Sequence, residues 1–192
     1  MLGASNSSAT TTARMPRVGV HPGAGLRRRG RLLSVYFSVK GWGNSVKPIP
    51  ALKPLAVLAG TWDTVIRWSE ETHKLVGGPA QLSGTATFEW MERGKFLHYE
   101  FGPSQWIIGR DESSPQYCVL YSDDRGISRF YEMTFSRGVW RIWRDAPSFH
   151  QRFEGRITNR GRTIHAHWDR STDGRKWIRD FDLTYTKTTP SR

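Results

Sequence analysis

Two histidines one residue apart, His165 and His167, have the spacing in this chain that best suits a metal. Side chains alternate along a strand, so both imidazoles leave one face, where neighbouring strands could complete a ligand set. The opposite face carries Ile164, Ala166 and Trp168 and is the better interior, which leaves both histidines in solvent and predicts no resident metal. Arg129 and Tyr131 share a face with Met133. Turned into an apolar interior, they would hold an anionic head group through guanidinium charge and a phenol hydrogen bond; turned outward, the arginine would pair with a neighbouring acid. His98 shares a face with Phe96 and Glu100, opposite Leu97, Tyr99 and Phe101, and an inward His98 would touch a ligand.

The carboxylates available for acid–base work are Glu89, Glu92, Glu100, Glu132, Glu154, Asp180 and Asp182, and none lies in a catalytic motif. Asp180 and Asp182 flank Phe181 and face outward if Phe181 faces in. No G-x-S-x-G, P-loop, dinucleotide fingerprint or H-E-x-x-H occurs, which removes the common hydrolase, nucleotide and metalloprotease routes. Cys118, beside Val119 and Leu120, reads as a buried hydrophobe. As the sole cysteine it excludes an intrachain disulfide, a zinc ribbon and a CxxC site. No catalytic residue is assigned.

The elements that must position these groups are short strands. Pro54 before Leu55-Ala56-Val57-Leu58, with Gly60 after, predicts one helical turn that plugs a barrel end. From Thr61 to Trp68 the chain alternates, with Trp62, Thr64, Ile66 and Trp68 on the inner face. After a loop from Ser69 to Pro79, strands follow over residues 82–91, 96–101, 105–109, 117–121, 127–135, 139–144, 149–157, 162–168 and 176–186. Turns at Glu92-Arg93-Gly94-Lys95, Asp123-Asp124-Arg125-Gly126, Ser136-Arg137-Gly138, Asn159-Arg160-Gly161 and Thr172-Asp173-Gly174 separate many of them. About ten sequential strands predict an all-β, antiparallel up-and-down barrel over residues 52–188. Aromatic residues recur through the strands, and Trp68, Trp106, Trp143 and Trp177 are expected as pocket walls.

Composition sets the outer bounds. The chain has 192 residues and a net charge of +12, with nine Lys/Arg and no Asp/Glu before Asp63 against 20 and 17 from Asp63 onward. A single domain is expected. The barrel is nearly balanced in charge, so no nucleic-acid partner is expected for it. Residues 1–51, rich in Ser, Gly and Arg, are expected to be a disordered basic extension, and residues 189–192 a tail. The extension reads as a start placed too early, with Met15 as the alternative, or as a transit peptide, or as a basic arm. A cytoplasmic protein is expected, with organellar targeting the alternative. The apolar run Leu32 to Val39 is too short to span a bilayer.

Gly60-Thr61-Trp62 behind a one-turn helix, and Phe181-Asp182-Leu183-Thr184-Tyr185-Thr186-Lys187 as the closing strand, resemble the calycins: lipocalins, fatty-acid-binding proteins and their bacterial relatives. Together with Phe88-Glu89-Trp90, Ile108-Gly109, Asp169 to Gly174 and Trp177, they look like an uncharacterised bacterial lipocalin-like family. The resemblance implies that Trp62 packs across the barrel floor beneath a cation, here Arg179 or Lys187. It implies a soluble protein holding a small hydrophobic or amphipathic ligand. Fatty-acid-binding proteins use an Arg/Tyr pair for the head group on their last strands, whereas Arg129 and Tyr131 lie mid-chain. Some calycin relatives bind haem through one histidine, which is the cofactor alternative. The functional alternatives are an isomerase- or cyclase-type barrel enzyme using Glu100, His98 or Tyr131, and a filled barrel acting through its surface.

Overall fold

The structure, a computed structural model, describes residues 46–188. Apart from residues 46–51, the expected extension and tail lie outside the described residues. Ten strands follow a 3-10 helix, Pro50–Val57. They are β1 (Gly60–Trp68), β2 (Gln81–Met91), β3 (Phe96–Phe101), β4 (Ser104–Arg110), β5 (Tyr117–Ser122), β6 (Ser128–Ser136), β7 (Val139–Arg144), β8 (His150–Thr158), β9 (Thr163–Ser171) and β10 (Ile178–Lys187). Each pairs antiparallel with its neighbours in sequence, and β1 closes on β10, so the all-β up-and-down barrel stands as expected and no sheet edge is left open. No helix among the described residues is long and apolar enough to cross a membrane.

One element was not expected. A seven-residue helix, α1 (Glu70–Val76), replaces the loop between β1 and β2. The Ser69 hydroxyl accepts from the Thr72 amide at 3.1 Å, Glu70 and Glu71 occupy the positive end, and Gly77 at φ 66° ends the helix. Ser-Glu-Glu-Thr followed by Gly77-Gly78 is a readable cap-and-stop signal.

Alternation decides what fills the barrel. Trp62, Thr64 and Ile66 are buried, as are Leu97 and Tyr99, Trp140 and Ile142, and Ile164, Ala166 and Trp168. The half nearer the 3-10 helix is packed solid by Trp62, Phe88, Trp140, Met133 and Ile164, each no more than 1% exposed. Leu52, Leu55 and Leu58 plug that end and are fully buried. The Trp62 indole donates to the Leu58 carbonyl at 2.7 Å, which ties the plug to β1.

The structure selects Lys187 as the cation over Trp62: its ammonium lies 5.0 Å from the ring centre and donates to the Val57 carbonyl at 2.9 Å. Burial, together with the Arg162 charge, pulls its pKa down. Gly60 leaves room for this lysine, since a Cβ there would sit 3.1 Å from the Lys187 Cε. Arg179 is not at the floor. It pairs on the outer face with Asp169 and Asp182, each at 3.2 Å, because it begins β10 at the opposite end of the barrel. Gly94 is constrained too, with φ 83° and a would-be Cβ 2.2 Å from the Lys47 carbonyl oxygen, where the chain entering the barrel crosses the β2–β3 turn.

Candidate functional site

The half of the barrel away from the plug encloses a cavity of about 550 Å³. It opens between α1, Pro103 after β3, Arg125 in the β5–β6 turn and Phe149 before β8. Its walls are mainly apolar: Ile66 and Trp68 from β1, Tyr99 and Trp106 from β3 and β4, Trp168 from β9, Phe181 and Leu183 from β10. The charged side chains of the lining, Arg125, Arg129, Arg170 and Asp180, stand at the mouth, which is the usual layout of a ligand site with few anchors.

Arg129 and Tyr131 both line this cavity, one at the start of β6 and the other two residues deeper. The Arg129 guanidinium lies 5.6 Å from the Tyr121 ring centre and 4.8 Å from that of Phe149, and reaches the Gln151 side-chain oxygen at 3.5 Å. The Tyr131 hydroxyl donates to the same oxygen at 2.6 Å. Among the described residues no carboxylate forms an ion pair with Arg129. Burial raises the Tyr131 pKa, against the pull of Arg129 and Arg144, so the phenol remains a neutral donor.

Across the mouth, Asp180 accepts from the Thr72 hydroxyl at 2.9 Å and lies 3.5 Å from the Arg170 Nε, and its own carbonyl takes the Ser69 amide at 3.0 Å. Asp180 thereby holds α1 against the barrel. The outward direction expected for it is corrected. The β9–β10 register slips between Arg179 and Phe181, and this irregularity places both Asp180 and Phe181 on the cavity wall while Asp182 stays outside. Burial raises the Asp180 pKa above its ordinary 3.8. A carboxyl raised in the folded state contributes stability that is complete below 3.8 and is lost as pH rises through the higher folded-state value. Urea unfolding of the wild type and Asp180→Asn across that window should show the wild type losing stability relative to the variant as pH rises. A constant difference would mean that Asp180 is not buried against the helix.

Trp68 and Trp106 line the cavity. Three other expected contacts do not. His98 leaves the outer face, paired in register with Glu89 and Ile107, because Leu97 and Tyr99 take the interior. Trp143 is outward because Trp140 lies three residues before it on the same strand, and only one of two such side chains can face in. Trp177 lies outside the cavity, 4.3 Å from the Arg152 guanidinium. Cys118 is exposed rather than buried, since Tyr117 and Val119 own the inner face of β5. With His98 and Glu100 both outside, Tyr131 alone of the three proposed acid–base groups reaches the cavity.

The structure adds residues that sequence reasoning passed over. Gln151 and Arg170 could have been found by parity, being two residues from the inward Phe153 and Trp168. The inward turn of Asp180 could not, because a bulge leaves no local mark.

His165 is exposed and His167 half-buried, both on the outer face, with the His167 Nε2 3.9 Å from Asp169. Burial and the Arg179 charge lower the His167 pKa. Among the described residues no group of three or more His, Cys, Asp or Glu is placed to hold a metal ion. None of the described histidines lines the cavity, so the axial imidazole that haem would take there does not fit.

No family model and no curated protein matches the chain. Among solved structures, the crystal structure of Rv2717c from M. tuberculosis is similar with a TM-score of 0.51 at 13% identity, over 74% of this chain and 100% of that chain. At that identity the likeness is one of fold, and it extends over the barrel architecture.

Proposed function

We propose that the protein is a lipocalin-like carrier that holds a small amphipathic acid, with its apolar body in the barrel and its anionic head at the mouth. The observation that carries this reading is Arg129, a guanidinium lining a mainly apolar cavity and held by Gln151, Tyr121 and Phe149, none of which neutralises it. A half-buried guanidinium without a counter-ion leaves charged donors unused, and a ligand carboxylate supplies that counter-ion. Tyr131 and Gln151 form the neutral half of the same anchor, and the packed lower barrel limits the ligand to the upper half.

Titration with anilinonaphthalene sulfonate, a fluorescent amphipathic anion, tests the reading. One equivalent should bind saturably, with enhanced dye emission, quenched tryptophan emission and displacement by other amphipathic acids. Absence of saturable binding, with tryptophan emission unchanged across a panel of amphipathic acids, would leave the barrel acting through its surface.

A further inference from the structure

The polar groups of the cavity stand at its two ends, with aromatic walls between. At the mouth the Arg129 guanidinium is held beside two rings, which fixes its hydrogen-bonding edge before any ligand arrives. Toward the packed half, the Trp106 Nε1 and the Tyr185 hydroxyl belong to residues that line the cavity, and both atoms are buried without a hydrogen-bond partner. Buried donors are nearly always satisfied in a folded protein, so two unsatisfied ones at the inner end of the cavity call for an acceptor there. Tyr99 adds a second hydroxyl, beside that of Tyr185, with its ring 4.3 Å from that of Trp106. Burial pushes the Tyr185 phenol up to about 12 and raises Tyr99 as well, so both stay protonated and able to donate.

The walls between these poles are rings locked against one another: Trp68 on Phe181 at 4.9 Å, Tyr131 on Trp168 at 5.8 Å, and Trp106 on Trp168 at 6.3 Å. Interlocked rings have few rotamers and cannot repack around a flexible chain, but they offer faces and edges to a flat one. A saturated acyl acid would satisfy Arg129, leave both inner donors unpaired, and lose many chain torsions on entry. From this combination, and resting on the carrier reading above, we infer that the cavity is built for a planar conjugated carboxylic acid. Such an acid carries a carbonyl or similar acceptor at the end remote from its carboxylate.

The test uses the full chain, tryptophan quenching and calorimetry with three probes: anthraquinone carboxylate, anthracene carboxylate and dodecanoate. The first has the flat body and the remote carbonyls, the second only the flat body, the third neither. Anthraquinone carboxylate should bind about tenfold tighter than anthracene carboxylate, the worth of one well-made hydrogen bond, and tighter again than dodecanoate. Tyr185→Phe, which deletes one hydroxyl and keeps the ring, should shrink the first ratio through a loss of anthraquinone carboxylate affinity. Dodecanoate binding as tightly as the aromatic acids, or equal affinity for the two aromatic acids, overturns this inference and leaves the carrier reading standing. Failure of all three probes, and of the sulfonate dye, overturns both.

Discussion

Replacing Arg129 by alanine is expected to weaken binding of an amphipathic carboxylate by roughly 10- to 100-fold, the range for losing a hydrogen bond to a charged group. A neutral amide or ester of the same body should bind within about twofold of its wild-type affinity, because the apolar walls are unchanged. The contrast follows from what Arg129 touches: a shared amide oxygen and two rings, with no acid to release when the arginine is lost. For the same reason the free protein should not be destabilised, since removing a charge that lacks a counter-ion leaves no orphaned partner. Arg129→Lys should fall between, keeping the charge but losing the planar fork and its fit against Tyr121 and Phe149. Calorimetric titration of acid and neutral analogue against the wild type and both variants gives the answer. Equal losses for the two analogues would mean that the substitution reshapes the cavity and that the arginine reads no charge.

The second large effect lies at the other end of the barrel. Trp62→Ala should cost about 3–5 kcal/mol of stability, the range for deleting a buried aromatic from a core that cannot collapse around the gap. Trp62 is fully buried, its indole N–H holds the carbonyl of Leu58, and Lys187 closes over its face. Loss of the ring also leaves the Leu58 carbonyl short of its donor and the half-buried ammonium with only the Val57 carbonyl. Lys187→Met should cost less, and a double-mutant cycle with Trp62→Phe and Lys187→Met should return a coupling of about 0.5–2 kcal/mol for the cation and ring together. Urea unfolding followed by circular dichroism measures all of these. A coupling near zero would show that the two residues close the barrel independently, with no cation–π contribution.

These two predictions sit at sites of unequal legibility. The floor was readable: a proline-started turn, Gly60-Thr61-Trp62 and a lysine on the last strand all recur where expected, and only the choice between Arg179 and Lys187 was open. That choice is one of strand ends. Arg179 and Lys187 lie on one strand, but Lys187 pairs with Trp62 in register while Arg179 lies at the end beyond Trp68. The mouth was half readable. Arg129 and Tyr131 were placed on a common face with Met133, and their inward direction follows once Glu132 and Phe130 are outside. Their partner Gln151 stands on another strand, 20 residues from Tyr131, where no local pattern links them.

What this sequence determined by itself was the set of strands, their antiparallel succession and the plugged end, because alternation, turn glycines and helix caps are local properties written within a few residues of each other. The direction of a side chain was also local wherever one face was clearly the more apolar, as for Ile164, Ala166 and Trp168 against His165 and His167. Tertiary structure alone decided the rest. In β7 two tryptophans competed for one interior, and packing against Phe88 and Phe153 admitted Trp140 and left Trp143 outside. In β10 a register slip turned Asp180 onto the cavity wall, where it anchors α1. Both outcomes depend on what a neighbouring strand presents at the same height. That pairing is settled only when the barrel closes, since an inward volume must be filled once and a bulge appears where two strands of unequal count must meet.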